Sequence, residues 1–278
     1  SKRVSVFCIF ASVMYRIVIA SDSFKGSLSS MEVAEAASRG INAVLPECQV
    51  TCLEIADGGE GTSKVLTRHF DGQMVTTSAS DPLGRRIRAE YGIATIDGIQ
   101  TAIIEMAQAS GLPLLSPHER NPLLTSTYGT GEMILDAARK GCRRFLTGIG
   151  GSATNDGGTG MLEALGFTFT DKDGARMQGL CGRSTKDIYG IDSSTVPQDI
   201  LDSEFIIACD VDTPFCGPEG ASAVFSPQKG ATPEMVSELE EGMLNLNAVI
   251  SRKYGTDLSS VPGSGAAGGL GGGFLACL

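Results

Sequence analysis

The chain has 278 residues, 42% of them hydrophobic and 19% charged, which is long for a single hydrophobic core and points to two compact units. Its formal net charge of −10 argues against non-specific nucleic-acid binding, and no apolar run is long enough to span a bilayer. Eight cysteines without a C-x-x-C pair, and only two histidines, make a zinc site unexpected and fit a reducing cytoplasm.

Lys2 and Arg3 ahead of an apolar stretch resemble the start of a signal peptide, but no cleavage site follows. Met14 stands directly before the first strand pattern, so residues 1–13 read as an upstream or added extension. Arg16 to Ala20 reads as a buried strand running into Ser21-Asp22-Ser23-Phe24-Lys25-Gly26-Ser27. Ser29 and Glu32 form a capping-box pattern for a helix whose expected apolar face is Val33, Ala36, Ala37, Ile41 and Val44. Val50 to Ala56 is a second strand, ending in Asp57-Gly58-Gly59-Glu60-Gly61-Thr62 before a helix from Lys64 to Phe70. Carboxylates recur where strands stop, at Asp22 and at Asp57, and open α/β sheets bind ligands at that end. Taken singly, Asp57 and Glu60 also suit helix capping, and Lys25 suits a solvated loop.

Gln73 to Ala79 alternates as a strand, and Ile87–Ile96 and Ile99–Met106 flank Asp97-Gly98, a strong hairpin signal. Ser126-Thr127-Tyr128-Gly129-Thr130-Gly131-Glu132 opens a helix with Met133, Ile134, Ala137 and Ala138 on its buried face. Arg144 to Thr147 is then a buried strand that breaks into Gly148-Ile149-Gly150-Gly151-Ser152-Ala153-Thr154-Asn155-Asp156-Gly157-Gly158, with a helix over Met161–Leu165. Strand, glycine-rich loop and helix is an arrangement that aims backbone N–H groups at an anion, and Asp156 adds a carboxylate for Mg²⁺ beside it. A tight turn in an α/β fold is the plainer alternative. Phe167 to Gly174 suggests another hairpin, and residues 175–200 give no clear pattern. Phe205 to Cys209 reads as a buried strand ending in Asp210 and Asp212, which at i and i+2 suit a shared metal or divided base and ligand roles. Thr232 and Pro233 start a long helix with Val236, Leu239, Met243, Leu246 and Ile250 inward, and 262–273 is glycine-rich.

The fold class expected is α/β: a Rossmann-like parallel-sheet domain, discontinuous over 14–70 and 121–165, with a second mixed α+β domain over 71–120 and 166–278. There is no G-x-x-x-x-G-K-[ST] and no G-x-S-x-G elbow, which excludes an ordinary P-loop enzyme and disfavours a serine hydrolase. Gly148 to Ala153 matches G-x-G-x-x-A, so a nicotinamide oxidoreductase stays in view, although Asp171 and Asp173 fall in a turn rather than at a strand end.

Together the motifs resemble the glycerate kinase family. They are Asp22–Ser29, Ala56–Thr62, Asp81-Pro82-Leu83-Gly84-Arg85, Glu119-Arg120-Asn121-Pro122-Leu123, Thr127–Glu132, Gly148–Gly158, Cys209–Asp212, Gly220-Ala221, Ser226–Thr232 and Pro262–Gly269, in the family's order. The resemblance implies ATP-dependent, Mg²⁺-assisted phosphorylation of D-glycerate to 2-phosphoglycerate, two domains with the site between them, and further strands beyond Leu278. Kinases of neighbouring hydroxy acids, phosphorylation at the 3-position, and an inactive nucleotide-binding fold remain alternatives. The roles expected are Lys25, Asp210 and Asp212 in catalysis. Gly150, Gly151, Ser152, Thr154, Asn155, Gly129 and Thr130 are expected to bind ATP. Asp22, Ser23, Arg85 and Glu60 are expected at the substrate, with Arg85 on its carboxylate. Asp57 and Asp156 are expected to hold the metal. The sequence is silent on oligomeric state, a homodimer being one option.

Overall fold

The computed structural model describes residues 15–21, 24, 27–54, 59 and 61–278. The chain divides into two compact units, Ser1–Ile55 and Ala56–Leu278. In the first, β1 (Arg16–Ser21) and β2 (Gln49–Glu54) pair in parallel, with α1 (Ser30–Val44) between them in sequence. The expected capping box starts α1: the Ser29 hydroxyl accepts the Glu32 N–H at 3.3 Å, and the Ser29 N–H donates to the Glu32 carboxylate at 2.8 Å.

Two expectations for this unit change. The buried positions of α1 are Ser30 and Ala34, while Ala36 and Ala37 are exposed and Val44 is 79% exposed. The Cys52 thiol reaches the Ala34 carbonyl at 3.6 Å, so the helix lies close to β2, and close approach selects small side chains rather than the most apolar stripe. Strand β1 is not fully buried either: Arg16, Val18 and Ala20 are exposed and the alternate residues half-buried. An apolar run does not by itself separate a strand covered on two faces from one covered on a single face.

The second unit opens with α2 (Thr62–His69), β3 (Gln73–Ser80), β4 (Arg86–Ile96), β5 (Ile99–Glu105) and a short α3 (Ala107–Ser110). Then come α4 (Tyr128–Arg139), β6 (Arg144–Gly148) and α5 (Thr159–Leu165). The hairpin suggested at Phe167 to Gly174 forms as β7 (Thr168–Thr170) and β8 (Arg176–Met177), and the unpatterned stretch beyond it holds β9 (Gly190–Asp192) and α6 (Gln198–Leu201). The unit ends with β10 (Glu204–Ala208), α7 (Ala221–Phe225), α8 (Pro233–Tyr254) and α9 (Ala266–Cys277).

Five strands form one mixed sheet in the order β10-β6-β5-β4-β3. The β4–β5 hairpin turns at Asp97 and Gly98, both at positive φ as the tightest hairpin turn requires. On its other edge β5 pairs in parallel with β6, and β6 in parallel with β10. Strand pairing therefore runs continuously across the expected domain boundaries at 120/121 and 165/166. The antiparallel β4–β5 hairpin belongs to one mixed sheet with the parallel strands β6 and β10.

Helices cover both faces of that sheet. Tyr91 is buried and donates to Asp136 of α4 at 2.7 Å, whereas a Cβ on Gly92 would collide with Thr67 of α2, and successive strand residues point to opposite faces. Met133, Ile134, Ala137 and Ala138 of α4 are buried as expected. Leu239, Met243, Leu246 and Ile250 of α8 are buried too, with the Thr232 hydroxyl accepting the Met235 N–H at 3.3 Å. Strand β10 departs from expectation: Glu204 and Ile206 are exposed, because among the described residues it is an edge strand. Strands β7, β8 and β9 form a small separate sheet. Among the described residues no helix is long and apolar enough to cross a membrane.

Candidate active site

Because β5, β6 and β10 are parallel, Glu105, Gly148 and Ala208 end side by side, and the loops that follow leave from one edge of the sheet. The Met106 N–H donates to the Gly148 carbonyl at 2.9 Å, the Leu112 N–H to Gly151 at 2.9 Å and the Ala153 N–H to Ser110 at 2.9 Å. These bonds lace the glycine-rich loop to the segment after β5. Within the loop, Gly150 and Gly151 are exposed and Ser152 is half-buried. No hydrogen bond among the described residues uses the N–H groups of these three residues. Gly151 sits at φ 74, a conformation that glycine adopts without strain. Solvent-facing amides without partners are suited to phosphate oxygens.

Beyond Ala153 the loop changes character. Thr154, Asn155 and Asp156 are wholly buried. The Asn155 amide donates to Ser222 at 3.2 Å and accepts from the Ser226 hydroxyl at 2.9 Å. Asp156 Oδ2 accepts the Thr127 N–H at 2.8 Å, the Thr127 hydroxyl at 2.8 Å and the Gly160 N–H at 3.2 Å, while Oδ1 accepts the Gly158 N–H at 3.1 Å. One carboxylate thus ties together the amino ends of α4 and α5. The start of α5 is filled by Asp156 and is not open to an anion, contrary to the sequence expectation. The same bonds engage both oxygens of Asp156, the carboxylate expected at the metal, inside the protein. Burial raises its pKa, against the pull of the bonds from Thr127, Gly158 and Gly160.

Lys229 lies beneath the same loop. It is 2% exposed, and its ammonium donates to the Thr154 carbonyl at 2.6 Å. Burial pushes its pKa down to about 7, opposed by the charge of Asp156. Gly157 donates to the Gly268 carbonyl at 3.0 Å. Ala267, Gly268 and Gly269 form a left-handed turn at φ 54, 69 and 88, and a Cβ on Gly268 would sit 2.0 Å from the Thr154 carbonyl oxygen. The glycine-rich segment thus brings its backbone close against the loop itself.

The predicted residues separate into groups. Gly150, Gly151 and Ser152 form an accessible loop surface. Thr154, Asn155, Gly129 and Thr130 are buried; a Cβ on Gly129 would meet the Ser80 carbonyl oxygen at 1.9 Å, and the Thr130 hydroxyl pairs with that of Ser110 at 2.8 Å. All four are packed inside the protein. Asp210 and Asp212 are exposed just past β10, whose Ala208 carbonyl accepts the Ile149 N–H at 3.5 Å.

Arg85 is engaged on every nitrogen: Nε with Asp81 at 2.5 Å, Nη1 with Glu119 at 2.6 Å and Nη2 with the Leu114 carbonyl at 3.5 Å. Bonds from the Ser116 hydroxyl and N–H, and from Arg85, hold the Glu119 pKa down at about 2. Arg85 is therefore not free to grip a substrate carboxylate as expected. Lys25, Asp22, Ser23, Asp57 and Glu60 lie outside the described residues. Among the described residues no three His, Cys, Asp or Glu side chains cluster as a metal site.

Sequence reasoning gave no role to Lys229, to Arg120 or to Glu105. Glu105 is buried and accepts the Ser63 N–H at 2.6 Å, tying the start of α2 to the end of β5. The signal for Lys229 was slight, a lysine in a Ser-Pro-Gln-Lys-Gly turn, where solvent exposure is the ordinary outcome.

Comparison with known proteins gives a consistent result. The sequence profile described as Glycerate kinase family matches residues 17–278. A glycerate kinase of Halalkalibacterium halodurans is 43% identical over 265 residues, covering 95% of this chain and 69% of that protein. The glycerate 2-kinase of Escherichia coli is 43% identical over 263 residues, covering 95% and 68% respectively. A crystal structure from Salmonella typhimurium LT2, of a candidate glycerate kinase 2, superposes with a TM-score of 0.83 at 42% identity, covering 95% of this chain and 70% of that one. The chain thus spans about two thirds of the length of these relatives.

Proposed function

The chain belongs to the glycerate kinase family, and from that membership we propose that it transfers the γ-phosphoryl group of ATP to the 2-hydroxyl of D-glycerate, giving 2-phosphoglycerate and ADP. The observation that carries this reading is the loop at Gly150, Gly151 and Ser152. It offers exposed, unpartnered amides at the carboxyl end of three parallel strands, held rigid from below by Asp156, Asn155 and Lys229.

Phosphoryl transfer asks for positioning and charge neutralisation more than for covalent chemistry. In the proposed division of labour, the three loop amides cradle the ATP phosphates. Asp210 or Asp212 orients the glycerate hydroxyl and accepts its proton, a role open to a solvent-facing carboxylate at a strand end. Lys25 neutralises charge on the transferring group. Mg²⁺, when bound with ATP, supplies further neutralisation of the β- and γ-oxygens. The carboxylates suited to hold it are Asp57 and whichever of Asp210 and Asp212 is not engaged with the hydroxyl, because magnesium takes one or two carboxylates and fills its shell with phosphate and water.

The test is ADP release by the chain with Mg-ATP, measured with D-glycerate, L-lactate, tartronate and no acceptor. The reading expects release dependent on D-glycerate. Equal release with every acceptor, or none with any, overturns it.

A further inference from the structure

Arg120 stands beside the loop support without a partner of its own among the described residues. It follows Glu119 directly, is half-buried, and has its Nε shut off from solvent without a hydrogen-bond partner. Among the described residues its guanidinium makes no ion pair and no hydrogen bond. A buried guanidinium nitrogen without a partner is costly, and such a group calls for a water, an ion or a ligand to complete it. The contrast with its neighbours is sharp. Arg85 is filled by Asp81 and Glu119, and Lys229 spends a proton on the Thr154 carbonyl.

Its backbone is placed against the loop support. A Cβ on Gly230 would lie 2.4 Å from the Arg120 carbonyl oxygen, so Arg120 packs on the residue that follows Lys229. The chain then runs beside the loop: Gly182 lies between the carbonyls of Pro122 and Asn155, and the Thr125 hydroxyl donates to the Ala153 carbonyl at 2.9 Å. In that loop the buried Thr154 hydroxyl is a second polar group without a partner. A planar fork of donors matches a carboxylate in bidentate fashion.

We propose that Arg120, rather than Arg85, receives the carboxylate of the small hydroxy-acid substrate and sets the preference for acids over neutral polyols. This rests on the kinase reading above.

The experiment measures phosphoryl transfer by wild type, Arg120→Met, Arg120→Lys and Arg85→Met, with D-glycerate and with glycerol as acceptors. Arg120→Met is expected to raise the KM for D-glycerate about 100-fold, the scale of losing one partner of a desolvated charge pair. The KM for ATP should stay within about twofold, and the preference for glycerate over glycerol should collapse, since only the acid presents the anion that Arg120 reads. Arg120→Lys should restore part of the preference, because a point charge replaces the fork. A glycerate KM changed less than about threefold, or glycerate and ATP KM values raised together as in a general structural loss, overturns the assignment. Arg85→Met reproducing the full selective effect, with Arg120→Met neutral, also overturns it. Absence of transfer by the wild type overturns the kinase reading instead. Arg120 is then judged by calorimetric titration of wild type and Arg120→Met with D-glycerate, where equal affinity or no binding to either refutes it.

Discussion

Replacing Asp156 tests whether one buried carboxylate holds the glycine-rich loop to two helix starts. In Asp156→Ala four donors lose their acceptor: the Thr127 N–H and hydroxyl, and the N–H groups of Gly158 and Gly160. Each buried donor left unpaired costs about 1–3 kcal/mol, and the set is not additive, so a total on the order of 5 kcal/mol is expected. That is comparable to the roughly 5–15 kcal/mol by which domains are stable, so this variant should not accumulate as folded protein. Asp156→Asn is the finer probe. Its amide oxygen can replace Oδ2 and keep three of the four bonds, while its NH₂ group faces the Gly158 N–H, donor against donor. The expected loss is about 1–3 kcal/mol, with Lys229 also deprived of its nearby negative charge. Urea unfolding followed by far-ultraviolet circular dichroism gives the midpoint, and amide hydrogen exchange reads Gly158 and Gly160 directly. An Asp156→Asn variant within about 0.5 kcal/mol of wild type, with Gly158 and Gly160 equally protected, refutes the reasoning, since that is the range of neutral surface changes.

Lys229 should leave a signature in the pH dependence of stability. Its pKa falls from 10.5 unfolded to about 7 folded. Between those values the unfolded chain holds the extra proton, so stability should rise with pH through that window. Relative to wild type, Lys229→Met should lack this rise, as read from urea midpoints at pH 7, 8, 9 and 10; parallel profiles contradict the burial argument. Gly131→Ala should destabilise by about 1–3 kcal/mol, because the added Cβ would lie 2.5 Å from the Met161 carbonyl oxygen and 2.7 Å from the Ala164 Cβ, forcing α4 and α5 apart. Gly40→Ala in α1 meets nothing within 4 Å and should instead raise stability by about 0.5–1 kcal/mol through helix propensity, measured in the same urea series.

The sequence made the local grammar of the fold legible. The Ser29–Glu32 box, the Asp97-Gly98 turn, the buried face of α4 and the Thr232-Pro233 start of α8 rest on short-range chemistry, and each appears where that chemistry places it. Burial of β1 and β10 was not legible, because coverage depends on which elements pack on each face. The division between sheets failed at β5 for a similar reason: an edge already committed to a hairpin says nothing about its partner on the other side.

At the site, the glycines of 148–151 announced a tight loop at the strand end, but the depth to which it runs was hidden. Thr154, Asn155 and Asp156 look as suitable for ligands as Ser152 does, and only packing shows that they face inward. Arg85 and Arg120 likewise differ in partners, not in sequence pattern.

The most direct measurement of the central claim is phosphorus NMR of this chain with Mg-ATP and D-glycerate, with the product compared against authentic 2- and 3-phosphoglycerate. The 2-phosphoglycerate signal should grow in step with ADP. A 3-phosphoglycerate signal would contradict the assigned hydroxyl, and loss of ATP to inorganic phosphate alone would contradict transfer to glycerate.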